Sequence, residues 1–188
     1  MSSERLQIHT TPLADLKWLA RKQMGDERGF LERLFCTREL ASITQGRPIQ
    51  QINHTLTQAK GTVRGIHFRH APHDEIKMVS CLKGAILDVA VDLRPHSSSY
   101  LHWFALELTE DNLKAMILPE GFGHGYQTLT ENCELIYFHT GVYEVQAEDG
   151  VHCLDPALAI TWPLPIIGLS VRDQSYVPLS AERKNNLR

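Results

Sequence analysis

Two stretches of the chain concentrate side chains that can move protons or bind metals. The first reads Arg-Gly-Ile-His-Phe-Arg over residues 64–69 and continues as Ala-Pro-His-Asp-Glu-Ile-Lys over residues 71–77. The second reads Pro-Glu-Gly-Phe-Gly-His-Gly-Tyr over residues 119–126. Histidine has an ordinary pKa near neutrality and suits both general-base catalysis and metal binding. One set of candidate metal ligands consists of His70, His73 and Glu75. Their spacing is poor for a metal site, which needs three or four ligands that converge in a fixed geometry.

The second stretch contains the pattern Pro-x-Gly-x-x-His, ending at His124. This pattern resembles the second cupin motif, in which a tight turn between two strands aims a histidine into a barrel mouth. The first cupin motif carries His-x-His and a glutamate as metal ligands. The corresponding positions, 67–69, read His-Phe-Arg, so the paired ligand is missing. We therefore expect no metal, and a metal-dependent cupin enzyme, either oxygenase or isomerase, is the alternative.

A longer series of blocks follows in order from about residue 25 to residue 175. They are DERGFLERLF at 26–35, QIN at 51–53, RGIHFR at 64–69 with the later PH and Lys77, DVAVDLR at 88–94, PEGFGHGYQTL at 119–129 and DPALAITWP…LSVRD at 155–173. Together they resemble the dTDP-4-dehydrorhamnose 3,5-epimerase family. The resemblance implies a jelly-roll cupin fold, a homodimer, a nucleotide-sugar substrate, and catalysis without metal or organic cofactor.

The chemistry of such an epimerase agrees with the residues present. A ketone at C4 of a hexose makes the protons on C3 and C5 weakly acidic, so inversion needs a base, an enolate-stabilising group and an acid on the opposite face. By resemblance, His67 is the base and Asp173 holds its imidazole in one tautomer. Lys77 matches the cation near the C4 oxygen, and Tyr137 matches the proton donor.

Further residues match positions that bind substrate in the family. The Arg-Gly-Phe block resembles a segment that reaches the neighbouring subunit's site, and Arg64 resembles an arginine near the phosphates, where a planar guanidinium suits paired oxygens. Arg64 could instead pair with Asp88 or Asp92. The predicted binding residues are Arg28, Phe30, Gln51, Asn53, Arg64, His124 and Tyr143, of which Tyr143 would stack on the base.

Three positions depart from the family pattern. Arg69 stands where many members carry glutamine, and Asp74-Glu75 replaces the common small-residue or amide pair. These departures bear on nucleotide and sugar specificity.

The elements that position these residues are short strands. In Ala85–Asp92, Ala85, Leu87, Val89 and Val91 form one apolar face and two aspartates, Asp88 and Asp92, lie on the other, which predicts a half-buried strand. Lys83-Gly84 predicts the turn of a hairpin between this strand and residues 77–82. Alternation also marks residues 104–109 and 134–139 as strands. Helical patterns are confined to residues 38–44, residues 109–113 and the tail after Ser180.

Many short strands and few helices predict an all-β sandwich or barrel, and the motifs select a cupin jelly roll with a few short helices. We expect one domain over residues 1–188. Its N-terminal segment, about residues 1–50, would exchange between subunits of a dimer. Its proline-rich segment, about residues 153–188, would pack over the barrel.

Composition narrows the function classes. The chain has 19 Lys and Arg against 22 Asp and Glu and no basic cluster, which argues against a nucleic-acid partner. It lacks a run of about 18 apolar residues and a signal-peptide pattern, and its four cysteines are scattered. These features favour a cytoplasmic protein that does not enter membranes.

The sequence therefore predicts an epimerase that inverts C3, C5 or both in a nucleotide-linked 4-keto-6-deoxy sugar. Besides the metal-dependent cupin, two alternatives remain. One is a single-centre epimerase or ketoisomerase on the same scaffold. The other is a sugar-binding jelly roll without catalytic activity, which would not need a base, an acid and an enolate stabiliser together.

Overall fold

The chain folds mainly into antiparallel strands, as described by a computed structural model for residues 5–180 and residue 187. The strands are β1 (Leu6–Thr10), β2 (Lys17–Arg21), β3 (Gln23–Asp26), β4 (Gly29–Glu32), β5 (Gln51–Thr57), β6 (Val63–Arg69), β7 (Lys77–Lys83), β8 (Ala85–Asp92), β9 (Trp103–Thr109), β10 (Lys114–Leu118), β11 (Phe122–Thr128), β12 (Cys133–His139) and β13 (Glu148–Gly150). Two short helices accompany them: α1 (Ala41–Thr44) and α2 (Val171–Ser175). A single 3₁₀ turn covers Val145–Ala147.

Two sheets pack face to face. The six-stranded sheet has the order β1-β2-β10-β7-β12-β5, and the five-stranded sheet has the order β13-β6-β11-β8-β9. Strands β3 and β4 form a separate hairpin. The core between the sheets is apolar and includes Val79, Leu108, Met116 and Leu135. The predicted all-β jelly roll is confirmed.

The predicted hairpin at Lys83-Gly84 is wrong. β7 belongs to the six-stranded sheet and β8 to the five-stranded sheet, so the chain crosses between sheets at this corner. Gly84 has φ +78°, and a Cβ there would lie 2.6 Å from Thr130 Oγ1. A glycine with positive φ suits both a hairpin turn within one sheet and a corner between two sheets. The Lys83-Gly84 pattern therefore did not distinguish a hairpin from a crossing.

Strand β8 is buried on both faces, not half-buried as predicted. Its valines pack against a second cluster that includes Leu158, Ile160 and Leu179 from the C-terminal segment. Asp88 and Asp92 are completely buried on the other face, where they hydrogen-bond to polar partners. The apolar face of β8 is therefore covered by the C-terminal segment, and its acidic face points into the barrel.

The C-terminal segment follows the outer face of the five-stranded sheet. Trp162 Nε1 donates a hydrogen bond to the carbonyl oxygen of Cys153 at 2.9 Å, and the backbone N–H of Leu179 donates to Asp155 Oδ2 at 2.7 Å. These bonds replace the ladder hydrogen bonds that an irregular segment lacks.

The helix predictions have mixed outcomes. Residues 38–44 contain the one-turn helix α1, whereas residues 109–113 form the turn between β9 and β10, where Thr109 Oγ1 accepts hydrogen bonds from the N–H groups of Asp111 and Asn112. Of the tail after Ser180, residues 181–186 and 188 lie outside the described residues.

No helix in the described part of the chain has the length and apolar character needed to cross a bilayer.

Candidate active site

A cavity of about 240 Å³, called the central cavity below, opens between the two sheets. Residues from β5, β6, β7, β10, β11, β12 and β13 line it. Among them are six of the residues that the sequence singled out: Asn53, Arg64, His67, Lys77, His124 and Tyr137. Residues far apart in sequence thus meet in one place that has room for a sugar-sized ligand.

His67 lies on β6 and contacts a carboxylate from the C-terminal segment. Its Nε2 atom is 2.6 Å from Oδ1 of Asp173, which is buried in α2. When the imidazole is neutral, a proton on Nε2 donates to this carboxylate and the lone pair remains on Nδ1. The pair therefore has the geometry of a histidine base oriented by an aspartate.

Local backbone structure fixes Asp173 in this position. Ser170 caps α2, and its hydroxyl oxygen accepts a hydrogen bond from the backbone N–H of Asp173 at 3.0 Å. The N–H of Gly65 lies 3.5 Å from Asp173 Oδ2. Burial alone would raise the pKa of Asp173, but the bonds to His67, Gly65 and Ser170 hold the pKa below its ordinary value. The carboxylate therefore remains charged when His67 accepts a proton.

The close approach of β6 to β11 depends on glycine. Gly65 has φ +116°, and a Cβ at this position would lie 2.5 Å from the Cα of Gly125. A side chain here would push apart the strands that carry His67 and His124, which face each other across the ladder.

Lys77 begins β7 and its ammonium group lies among charged groups of the cavity. Burial lowers the pKa of Lys77, and the negative charges of Glu75 and Asp88 counter only part of that effect. A cation with so little water around it interacts strongly with a developing oxyanion.

Lys77 leads to a prediction about pH. Because its pKa is lowered, the ammonium group loses its proton at a lower pH than an ordinary lysine, so kcat/KM should fall on the alkaline side at that lower pH. In Lys77→Arg the guanidinium stays charged, and the alkaline fall should move to higher pH even if the maximal rate is reduced. The measurement is a pH profile of kcat/KM for both proteins, with circular dichroism at each pH. An unchanged alkaline fall in Lys77→Arg would assign it to another group.

Tyr137 lies on β12 at the inner part of the cavity. Burial raises the pKa of its phenol well above the ordinary value, and the neighbouring Tyr126 and Asp88 add to the effect. The hydroxyl therefore stays protonated throughout the neutral range, as a proton donor must.

His124 forms a second buried histidine–aspartate pair, with Nε2 2.7 Å from Oδ1 of Asp88. Burial lowers the pKa of His124, and the opposing effect of Asp88 is smaller. The ring of His124 lies edge-on to that of Tyr137, with centroids 6.2 Å apart. Sequence reasoning placed Asp88 on the face of β8 opposite the apolar one and did not assign it to the site. The available signal was that Asp88 lies in DVAVDLR, one of the blocks that resemble the family.

The polar residues of β5 and the arginine of β6 are placed differently. Gln51 Nε2 donates to Asn53 Oδ1 at 3.0 Å, and Asn53 lies 3.4 Å from a ring nitrogen of His139. Arg64 pairs with neither Asp88 nor Asp92. Its guanidinium is exposed and donates to the carbonyl oxygen of Leu56 at 3.3 Å, which leaves it accessible at the rim.

Four predicted binding residues, Gln51 among them, do not line the central cavity of their own chain. Arg28 and Phe30 lie on the β3–β4 hairpin, where Arg28 pairs with Asp26 and the Phe30 ring is 65% exposed. Tyr143 lies in the loop after β12, half exposed, with its ring beneath the guanidinium of Arg69. Their roles stay predictions.

The polar residues of the cavity wall that the sequence did not assign to substrate binding include Arg69, Glu75, His139 and Glu148. Arg69 and Glu75 are two of the three departures from the family pattern, and they contact each other. The sequence signal for this contact was that two unusual residues of opposite charge lie six positions apart.

The metal set considered from the sequence does not converge. His70 Nε2 lies 3.1 Å from Asp149 Oδ2, whereas Glu75 contacts His139, and His73 is exposed. Over residues 5–180 and 187, no three His, Cys, Asp or Glu side chains are grouped as metal ligands.

Comparisons with known proteins show to which family the chain is similar. A family model described as dTDP-4-dehydrorhamnose 3,5-epimerase matches residues 10–181. The chain is 39% identical to a dTDP-4-dehydrorhamnose 3-epimerase of Streptomyces niveus, over 88% of this chain and 80% of the relative. It is 32% identical to a dTDP-4-dehydrorhamnose 3,5-epimerase of Sinorhizobium fredii, over 94% and 91% of the two chains. A Legionella pneumophila epimerase solved with dTDP-4-keto-L-rhamnose superposes with a TM-score of 0.88, at 33% identity, covering 95% of this chain and 96% of that one.

Proposed function

This chain belongs to the dTDP-4-dehydrorhamnose 3,5-epimerase family, and we propose that its central cavity holds a dTDP-linked 4-keto-6-deoxy sugar with the reacting carbons between His67 and Tyr137. The chain is a nucleotide-sugar epimerase that inverts C3, C5 or both. The observation that carries the residue assignment is the 2.6 Å contact between His67 and Asp173 at the edge of a cavity that also contains Lys77 and Tyr137.

The reaction proceeds by proton abstraction and reprotonation. His67 removes the proton from a carbon next to the C4 ketone, and the electron pair of the broken C–H bond moves to the C4 oxygen. The Lys77 ammonium stabilises the enolate that results. Tyr137 then delivers a proton to the opposite face of the same carbon, and the C4 ketone re-forms. His67 releases its proton to solvent, and Tyr137 regains one from solvent.

The nucleotide would extend from the cavity past its rim. Arg64 is exposed there and can bind diphosphate oxygens through its planar guanidinium. Gln51, Asn53 and the buried His124 provide polar contacts, and the exposed ring of Tyr143 can stack on the base. The Legionella relative was solved with a dTDP sugar, which supports dTDP as the nucleotide here.

The direct test is to determine the configuration of the product. The protein is incubated with dTDP-, CDP- and GDP-linked 4-keto-6-deoxyhexoses, and ring proton couplings identify each inverted carbon. We expect inversion with the dTDP sugar, and no loss of rate in excess EDTA. A rate lost to chelation and restored by added metal would favour a metal-dependent cupin, and movement of the ketone would favour a ketoisomerase.

We also propose that the protein works as a two-fold dimer in which the β3–β4 hairpin reaches the partner's cavity. Phe30 and Leu31 expose large apolar side chains on this hairpin, and Ile52 and Leu56 do so on the edge strand β5. Apolar patches of this kind commonly mark protein interfaces, and two-fold dimers are the commonest homo-oligomers. Arg28 and Phe30 would thereby contribute to the substrate site of the other subunit.

The dimer can be tested by light scattering at micromolar concentration, where we expect twice the mass of the 188-residue chain. Phe30→Asp should weaken the dimer and raise KM, because it places a charge in an apolar contact. Leu154→Asp serves as the matched control, since Leu154 is similarly exposed (59%) but lies outside the hairpin and β5. A monomeric wild type with full activity would contradict this proposal.

A further inference from the structure

An ion pair joins the strand that carries His67 to the loop between β6 and β7. Arg69 Nη1 lies 3.3 Å from Oε2 of Glu75, and both side chains are buried. Glu75 also accepts hydrogen bonds from His139 Nδ1, with distances of 3.0 and 3.1 Å to its two oxygens. Burial alone would raise the pKa of Glu75, but the bond from His139 and the charges of Lys77 and Arg69 bring it below its ordinary value. The glutamate is thus an ionised anchor on the wall of the cavity.

The Arg69 side chain contacts the loop after β12 at two points, a backbone carbonyl oxygen and the ring of Tyr143. Its Nη1 donates to the carbonyl oxygen of Val142 at 3.2 Å, and its guanidinium carbon lies 5.8 Å from the centroid of the Tyr143 ring. The loop packs so tightly on the pair that a Cβ at Gly141 would lie 3.0 Å from the Cβ of Glu75 and 3.3 Å from Arg69 Nη1. The position of Tyr143 therefore depends on Arg69, and the position of Arg69 depends on Glu75.

The charge of Arg69 is already neutralised within the protein. Besides Glu75, Glu148 approaches it, with 4.0 Å between Arg69 Nε and Glu148 Oε1. A guanidinium shared between two carboxylates and a carbonyl oxygen has little attraction left for a diphosphate. Arg69 thus acts on the ligand through the loop, not as a phosphate-binding cation.

We propose that Arg69 and Glu75 are positioning residues that fix the Tyr143 ring next to the cavity wall, where it stacks on the base of the nucleotide. The proposal rests on the proposed function, because it takes a nucleoside diphosphate sugar as the ligand. It adds that affinity for the nucleotide part is set by an ion pair that does not touch the nucleotide, and that this pair takes no part in proton transfer.

A double-mutant cycle between positions 69 and 143 tests the coupling. The affinity for dTDP is measured by calorimetry in wild type, Arg69→Gln, Tyr143→Leu and the combined variant. Base–aromatic stacking is typically worth enough that Tyr143→Leu should weaken dTDP about tenfold or more. Arg69→Gln should weaken it about fivefold in the wild-type background and have almost no further effect when Tyr143 is already absent. In steady state, Arg69→Gln should raise KM for the sugar substrate while kcat stays within about threefold.

Two controls keep the result interpretable. Arg69→Gln leaves the buried Glu75 without its partner and can destabilise the fold. The variant Arg69→Gln/Glu75→Gln removes both charges and should show the same loss of dTDP affinity with a Tm near that of wild type. Inorganic pyrophosphate is the second control, because loss of a phosphate-binding cation would weaken it in parallel with dTDP, whereas loss of ring position would not.

The outcomes separate this inference from the proposed function. Equal weakening of dTDP by Arg69→Gln with and without Tyr143 would overturn the positioning role, as would unchanged affinity in both Arg69→Gln and the doubly neutral variant. Failure of wild type to bind dTDP at all would overturn the substrate class, and the inference with it. Because calorimetry needs no turnover, a wild type that binds dTDP but inverts no sugar would contradict only the proposed function.

Discussion

His67→Ala should lower kcat by about 10²–10⁴, the contribution typical of a positioned general base. The imidazole lines the cavity, and the buried carboxylate of Asp173 sets its free nitrogen through a 2.6 Å contact with Nε2. Its removal takes away the group to which proton abstraction is assigned. The fold and the affinity for dTDP should change little, because His67 is partly exposed and belongs to neither core cluster of its strand.

Asp173→Asn should also depress kcat strongly. The amide keeps the size of the side chain but loses the charge that stabilises the imidazolium, and its NH₂ group can favour the wrong tautomer of His67. Because the two side chains act as a unit, the double variant should be little worse than His67→Ala alone. Multiplicative losses in the double variant would break the assignment of Asp173 as a residue that acts through His67.

The matched control for His67 is His73→Ala. His73 lies four residues after Arg69 in an exposed loop, so its removal should leave kcat near the wild-type value. Circular dichroism on every variant separates loss of chemistry from loss of fold. A His67→Ala enzyme within tenfold of wild type would remove the base from the mechanism, and a loss confined to His73→Ala would revive the metal set.

Tyr137→Phe should separate proton abstraction from inversion. Without the hydroxyl, His67 still removes the proton, and solvent deuterium reaches the base and returns to the carbon from the same face. The variant should therefore wash deuterium from D₂O into unreacted substrate while formation of inverted product falls by about 10²–10⁴. The physical reason is that the donor on the opposite face is gone, whereas Lys77 still stabilises the enolate.

Tyr100→Phe controls for the loss of a phenol hydroxyl elsewhere in the protein, because Tyr100 packs against the outer apolar cluster. It should leave both exchange and inversion close to wild type. Equal loss of exchange and inversion in Tyr137→Phe would show that the hydroxyl is needed before the proton leaves the sugar, and would remove Tyr137 from the role of final donor.

The sequence predicted the members of the site better than the path of the chain between them. His67, Lys77 and Tyr137 sit in short motifs with fixed spacing, and strand alternation brings each to an inward face. The corner at Gly84 and the burial of Asp88 were misjudged, because alternation shows that a strand has two faces but not which one meets the barrel interior.

Contacts between distant segments were also beyond the sequence pattern. Ser170 and Asp173 have the spacing of a helix N-cap, which could have predicted α2. The meeting of α2 with His67, more than one hundred residues away in sequence, depends on how the C-terminal segment crosses the five-stranded sheet. The Arg69–Glu75 ion pair could not be predicted either, because the sequence shows only that each residue departs from the family pattern.

The central claim is that His67 abstracts the proton and that a different group returns one from the opposite face. The most direct measurement is the position of deuterium in product formed in D₂O, compared between wild type and His67→Ala by NMR. Because the Tyr137 hydroxyl exchanges with solvent, wild type should place one deuterium at each carbon that it inverts, and His67→Ala should place almost none in the same time. Inversion by wild type without solvent deuterium, or deuterium incorporation by His67→Ala at the wild-type rate, would contradict the account.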